Sequence, residues 1–345
     1  LMVSDIMCTL LFPGVGYLGR TLIAICFTWA NTLIACLPMN ESKKIYNIVG
    51  LSNIIVYLFV FCTGLYFVLT GNSPANPINL QSLLPRMDNA VMFVPIALFC
   101  ASGVEVCSMS IEDSENPERD LKRTLLTFSF IFIVINCLAS LGILMISPLE
   151  KMSIMSGIAD IYIIAWNNKF LYVLICIQVI AGIICQCSAW TTAGGRSIAE
   201  SAKEGKFPAV FAGESKAGLP KNAIILNGVF GTAMLVMYAF MANTAADLFF
   251  ALMSCVVIAA TLPYVLVMIS YQKMRKGILK DYQGYKAPFG VAMSWILQIT
   301  QIFVTMLLIW IPGVGFTDSA GITLIGSIAV LILGEIMLLC TKKVK

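Results

Sequence analysis

Long apolar runs, separated by short polar connections, organise this chain. Nine of them, at residues 20–39, 45–70, 89–111, 124–147, 169–193, 223–245, 247–271, 289–311 and 319–341, are long enough to span a bilayer, which takes about 20 residues of helix. Residues 2–18 form a shorter run that breaks near Pro13 and Gly14 and reads as the last turns of a further span. Strands of a membrane barrel would be about ten residues long and would alternate in polarity. These runs do neither. The pattern predicts an all-α fold, a polytopic transmembrane helical bundle.

The polar connections carry the orientation. Of 22 Lys and Arg, 18 fall in every second connection and at the C-terminus: Lys43 and Lys44, 119–123, 196–221, 273–286 and 342–345. The alternate connections hold only Arg20, Arg86, Lys151 and Lys169. Basic residues stay on the cytoplasmic side of short loops, so the C-terminus is expected to be cytoplasmic. The connections are too short for a soluble domain. The longest runs from about Gly194 to Asn222. Its first part, RSIAESAKEGKFP, sets Ile198 and Ala202 on one face, with Gly205 and Pro208 as stops. It predicts a separate short helix along the membrane surface.

Composition narrows the chemistry. Mean hydropathy is +0.90 and only 12% of residues are charged, about half the share in a soluble domain. The net charge of +4 is spread over several connections, so no nucleic-acid partner is expected. There are 12 Cys and no His. The cysteines lie mostly inside apolar runs and read as small buried hydrophobes. No metal site and no cofactor is expected. Without histidine there is no Ser–His–Asp or Cys–His catalytic set, and no phosphate-cradling GxxxxGK[ST] loop is present. An enzyme is therefore not expected.

Charge inside a membrane span is the informative anomaly, because it is expensive there. Glu105 lies well inside span 89–111, just after Ser102 and Gly103 and within three turns of Pro95. A Pro and a Gly near mid-span let a membrane helix break and turn its backbone toward a cavity. One reading is a broken helix beside a titratable carboxyl whose pKa desolvation raises, suited to a proton-coupled step. The other is a neutral Glu bonded to a neighbouring helix. Asp5 and Glu335 read as structural, near helix ends or snorkelling to the interface. Asn116 and Pro117 suit the start of the next helix. Span 169–193 turns polar in its inner half, with Gln178, Gln186, Ser188, Trp190, Thr191 and Thr192. Trp190 is either an interfacial anchor or the wall of a binding cavity. Gln298, Thr300, Gln301 and Thr305 in span 289–311 are expected to face other helices.

The stretch SGVEVCSMSIEDSENPERDLKRT resembles the sixth-helix signature of amino acid–polyamine–organocation transporters. Trp190-Thr-Thr-Ala-Gly-Gly-Arg-Ser-Ile-Ala-Glu, then Glu204-Gly-Lys-Phe-Pro208 and Ser215-Lys-Ala-Gly-Leu-Pro220, resemble the end of that family's eighth helix and the loop after it. Leu262-Pro-Tyr-Val and Tyr271-Gln-Lys-Met-Arg275 are similar to its tenth helix. The likeness runs over nearly the whole chain, and within the family it looks most similar to bacterial amino-acid antiporters of the arginine/agmatine and glutamate/γ-aminobutyrate type.

The resemblance implies a twelve-helix, inverted-repeat (LeuT-like) transporter fold. It makes residues 1–345 a single transmembrane domain. Residues 1–70 are then the remainder of a first repeat, 89–271 a second repeat and 289–341 a C-terminal helix pair. Helices one and two and most of helix three are expected to lie outside this chain, which would be N-terminally truncated. Carried over residue by residue, Ser102 and Gly103 fall on unwound backbone, Phe99 on a gating aromatic, Glu105 on a proton-sensing carboxylate and Trp190 on an aromatic of the eighth helix. Phe99 stands where the arginine antiporter has Trp, which weakens cation–π attraction to a guanidinium and makes arginine a poor expectation. The implied function is a secondary transporter, antiporter or proton symporter, of amino acids or related amines. It would lie in the plasma (cell inner) membrane. Substrate would sit near mid-membrane between helices six, eight and ten and the absent helix one. Partners would be that small molecule, protons, the lipid bilayer and, at most, a second copy in a homodimer. The alternative is a non-transporting remnant, or a membrane-embedded partner or sensor of the same fold.

Overall fold

The computed structural model describes residues 2–12, 14–37, 39–79, 103, 106, 108, 114–148, 157–215, 218–240, 245–278, 280–281, 287, 289–311, 315–316 and 320–342. Ten helices carry almost all of them: α1 (Met2–Leu11), α2 (Tyr17–Ala35), α3 (Met39–Leu69), α4 (Pro117–Ile146), α5 (Gly157–Trp166), α6 (Lys169–Lys203), α7 (Lys221–Ala239), α8 (Ala245–Lys276), α9 (Gly290–Ile309) and α10 (Ala320–Lys342). Two short strands, β1 (Trp310–Ile311) and β2 (Gly315–Phe316), pair antiparallel after α9. By length and composition, six stretches are long and apolar enough to cross a membrane: Tyr17–Ala35, Lys44–Leu69, Arg119–Ile146, Lys169–Lys203, Val256–Lys276 and Gly290–Leu307. The protein is a multi-pass membrane protein. The predicted runs at 2–18, 223–245 and 319–341 carry the helices α1, α7 and α10, with shorter apolar cores at Met2–Leu11, Lys221–Met237 and Leu324–Leu339. The run at 89–111 lies outside the described residues apart from 103, 106 and 108.

The described residues form two compact units. One carries α1–α7, and the other carries the bulk of α8, α9 and α10. In the first, a core of Ile6, Val60, Ile146, Ile161, Tyr162 and Ile175 joins α1, α3, α4, α5 and α6. The surface is the reverse of a soluble protein's, with Leu33, Phe130, Phe170 and Ile177 all exposed, as helices facing lipid require.

Small residues bring helices together, as packing in lipid demands. A Cβ on Gly64 would lie 2.7 Å from the Gly142 backbone, so α3 and α4 touch main chain to main chain. Most threonines spend their hydroxyls on their own helix. Thr28 donates to Ala24 O (3.0 Å), Thr192 to Ser188 O (3.0 Å) and Thr261 to Val257 O (2.8 Å). In hydrocarbon this is the nearest acceptor available.

Helix termini follow the sequence in part. Helix α4 starts at Pro117 behind Asn116, as predicted. The Asn116 side chain makes no capping bond; instead Ser114 Oγ donates to Asp120 Oδ2 at 2.6 Å. Asn168 caps α6, accepting from Leu171 N at 3.1 Å. The expected separate surface helix at 196–203 is corrected: these residues continue α6 without a break to Lys203. Gly194 and Gly195 do not end the helix, because their missing side chains are used for packing instead. The stop itself falls where expected, at Gly205 with φ 71°. In the last turn before it, Lys203 bridges Glu200 (2.7 Å) and, across the stop, Glu214 (2.6 Å). The Lys206 ammonium, 2.6 Å from Glu204, holds that carboxyl below its usual range. Between the predicted spans at 124–147 and 169–193, residues Gly157–Trp166 form the short helix α5. Helix α5 packs there through stacked Phe59–Tyr162 and Tyr66–Trp166 pairs, with centroids 5.4 and 4.1 Å apart.

In the second unit α8 contains Pro263. Proline lacks the N–H that the carbonyl of residue 259 would otherwise receive. Gln272 Nε2 donates to Ser294 Oγ (3.1 Å) and lies 3.4 Å from Gln298 Oε1, and Thr305 Oγ1 donates to Thr261 Oγ1 at 2.8 Å. These bonds join α8 to α9. Gln298 and Thr305 thus face another helix, whereas Thr300 turns back on Ile296 O.

Candidate functional site

The C-terminal half of α6 gathers Gln186, Ser188, Thr191 and Thr192. Its backbone runs continuously past Trp190, which projects 41% exposed. The next residue, Thr191, is held from three directions. Its own Oγ1 donates to Cys187 O at 2.8 Å. Asn31 Nδ2, from α2, donates to Thr191 Oγ1 at 3.1 Å. Asn227 Nδ2, from α7, donates to Thr191 O at 3.1 Å.

Glycines let these helices approach closely enough for such bonds. A Cβ on Gly194 would come 3.0 Å from Asn227 Nδ2, and one on Gly195 would lie 2.6 Å from the Ile224 side chain. On α7, a Cβ on Gly228 would meet Thr32 Oγ1 at 2.7 Å. Two oxygens in the seam stay without a partner, Asn31 Oδ1 and Ser188 Oγ. Both residues are buried, at 9% and 0% exposure.

A second polar contact lies further up α6. Gln178 Nε2 donates to Ser52 Oγ (2.6 Å) and Asn53 Oδ1 (3.1 Å) on α3. Gly182 closes against Asn53, where a Cβ would sit 2.5 Å from Oδ1. Of the polar residues singled out on this span, Gln178, Ser188 and Thr191 face neighbouring helices, while Gln186 is exposed.

Of the predicted site residues, Trp190 and Gly103 are described. Gly103 has φ 112°, a backbone shape that glycine adopts readily and other residues avoid. Phe99, Ser102 and Glu105 lie outside the described residues. No group of three or more metal-ligating side chains occurs among the described residues. The Asp5 carboxylate pairs with Arg20 across α1 and α2, and Arg20 Nε also donates to Val15 O at 3.2 Å. Arg20 thus has a partner that the charge count alone did not supply. Glu335 is exposed on α10. Sequence reasoning missed Asn31 and Asn227 altogether. A polar amide inside each of two predicted spans was the available signal.

The profile of a family described as amino acid permease matches residues 4–333. Over 340 residues the chain is 24% identical to a probable agmatine/putrescine antiporter of Lactococcus lactis subsp. lactis (strain IL1403), covering 92% of this chain and 70% of that protein. It is 22% identical over 274 residues to an aromatic amino acid transport protein of Escherichia coli (strain K12), covering 76% of this chain and 58% of the relative. A glutamate/γ-aminobutyrate antiporter of the same Lactococcus lactis strain is 21% identical over 226 residues, 63% of this chain and 45% of that protein. These relatives are transporters. The chain spans between about half and about two thirds of their length.

Proposed function

We propose, from the premise that this chain belongs to the amino acid permease family, that it serves secondary transport, exchanging or importing amino acids or related amines. The observation that carries the reading is the family match across residues 4–333. Two features of the molecule support it. Trp190 is an exposed aromatic on a helix whose rotation is fixed by polar bonds, as the wall of a binding site requires. Gly103 has a non-helical backbone where the resemblance puts unwound chain.

In this reading Phe99, Ser102, Gly103 and Trp190 contact substrate, and Glu105 carries or senses the coupling proton. Ser102 and Gly103 would offer backbone N–H and C=O groups to the polar end of an amino acid. Phe99 and Trp190 would cover its side chain and exclude water. Among the relatives, one is named for agmatine and putrescine and another for aromatic amino acids, so both amines and amino acids belong in the first panel. Residues 1–70 belong to a first repeat, 89–271 to a second repeat and 289–341 to a C-terminal helix pair. The location is the plasma (cell inner) membrane with the C-terminus in the cytoplasm, supported by the asymmetry of Lys and Arg. A homodimer in the lipid bilayer is compatible with the exposed apolar surface.

The test is counterflow in proteoliposomes against a panel of amino acids and amines, with and without a proton gradient. Saturable uptake of one class is the expected result. No uptake across the panel contradicts the reading.

A further inference from the structure

Thr191 is the meeting point of three helices, and it sits beside the residue proposed to contact substrate. Asn31 reaches its hydroxyl from α2 and Asn227 reaches its carbonyl from α7, each at 3.1 Å. One amide grips the side chain and the other grips the backbone. Together they resist rotation of α6 about its axis as well as sliding along it.

This part of α6 needs such a grip. Thr191 and Thr192 both donate back to carbonyls one turn earlier, at Cys187 and Ser188, and back-bonding of this kind loosens and bends a helix. Gly194 and Gly195 follow at once and offer no side chain of their own to key α6 against α7. In lipid there is no hydrophobic drive to hold helix register; packing and interhelical hydrogen bonds must do it. Adjacent side chains on a helix are about 100° apart, at 3.6 residues per turn. Fixing the azimuth of Thr191 therefore fixes the direction of Trp190.

We propose that Asn31 and Asn227 are positioning residues that aim the Trp190 indole through Thr191. The inference rests on the reading of Trp190 as a wall of the substrate site, and it adds what sets that wall. Asn31 and Asn227 do not touch substrate; they act on KM through the orientation of Trp190.

The experiment uses the whole chain with Trp29, Trp166, Trp295 and Trp310 replaced by Phe, so that Trp190 alone fluoresces. Asn31→Leu, Asn227→Leu, Thr191→Val and Thr191→Ser are made in that background. Emission maximum, acrylamide quenching and counterflow kinetics are recorded for each. Asn31→Leu and Thr191→Val are expected to shift the Trp190 emission and quenching. Both should raise KM about fivefold, the change that losing one ordinary hydrogen bond produces, with the maximal rate unchanged. Thr191→Ser keeps the hydroxyl and restores both readouts. Asn227→Leu tests the carbonyl bond independently and shifts the emission in its own right.

Unchanged emission and KM in Asn31→Leu and Thr191→Val overturns the proposal. So does Thr191→Ser behaving as Thr191→Val, since side-chain shape rather than the hydroxyl would then be responsible. Trp190→Ala separates this inference from the functional reading beneath it. If transport survives Trp190→Ala while Thr191→Val still moves the spectrum, the substrate-wall reading fails and the positioning contact stands.

Discussion

The seam of α2, α6 and α7 and the cleft of α8, α9 and α10 both join membrane helices, with different chemistry. The first uses amides and glycines. Asn31 and Asn227 cross between helices, and glycines bring backbones so close that an added Cβ would collide. The second has the Gln272 amide bonded to Ser294 near one end of α8 and α9 and, further along, a mostly apolar cavity of about 390 Å³, bordered by Ile258, Val265, Ile302, Met306 and Leu331 together with Thr261, Thr305 and Ser327. Its hydroxyls answer one another or their own backbones: the single Thr305 proton has Thr261 Oγ1 and Gln301 O both within reach. An amide clamp holds a helix in one azimuth. The mostly apolar stretch around the cavity imposes no such preference. The seam with the clamp carries Trp190, the one proposed site side chain that is described.

Substitutions can break this contrast. The largest effect is expected from Gly228→Val. Its branches would drive into Thr32, which is buried at 2% exposure and cannot yield. Overpacking of this sort costs about 1–3 kcal/mol, read as a lower melting temperature in detergent. A smaller loss is expected from Thr261→Val in the cleft, about 0.6 kcal/mol by the average for hydrogen bonds between membrane helices. Thr305 keeps its own bond to Gln301 O at 2.9 Å, so no hydroxyl is stranded. The smallest effect sharpens the account of the seam. Ser188→Ala removes a buried hydroxyl that has no partner, so stability should be unchanged or slightly raised. A marked loss would mean that Ser188 Oγ is engaged after all.

Much of the fold was legible because lipid imposes a simple rule. A run of about 20 apolar residues must be helical there. Helices α2, α3 and α9 accordingly lie within a few residues of the predicted runs at 20–39, 45–70 and 289–311. The start of α4 at Pro117 and the stop at Gly205 were legible from backbone chemistry. The continuation of α6 was not. A Gly-Gly pair signals a helix end when read locally, yet here it marks close approach to Asn227 and Ile224. Of the proposed site, Trp190 stood out in the sequence as an aromatic in a polar stretch, and the structure finds it exposed on α6. The Asn31–Thr191 contact joins residues 160 positions apart. The Asp5–Arg20 pair joins two helices. Neither distance nor partner follows from local pattern, because helix azimuth is set by the neighbours that a single sequence does not display.

The central claim is that Trp190 lines the path of a transported amino acid or amine. The most direct measurement is initial uptake by proteoliposomes of the native chain and of Trp190→Ala, side by side at equal protein content. The account predicts saturable uptake by the native chain and a large loss of apparent affinity in Trp190→Ala. Uptake with the same KM and maximal rate in both would contradict it.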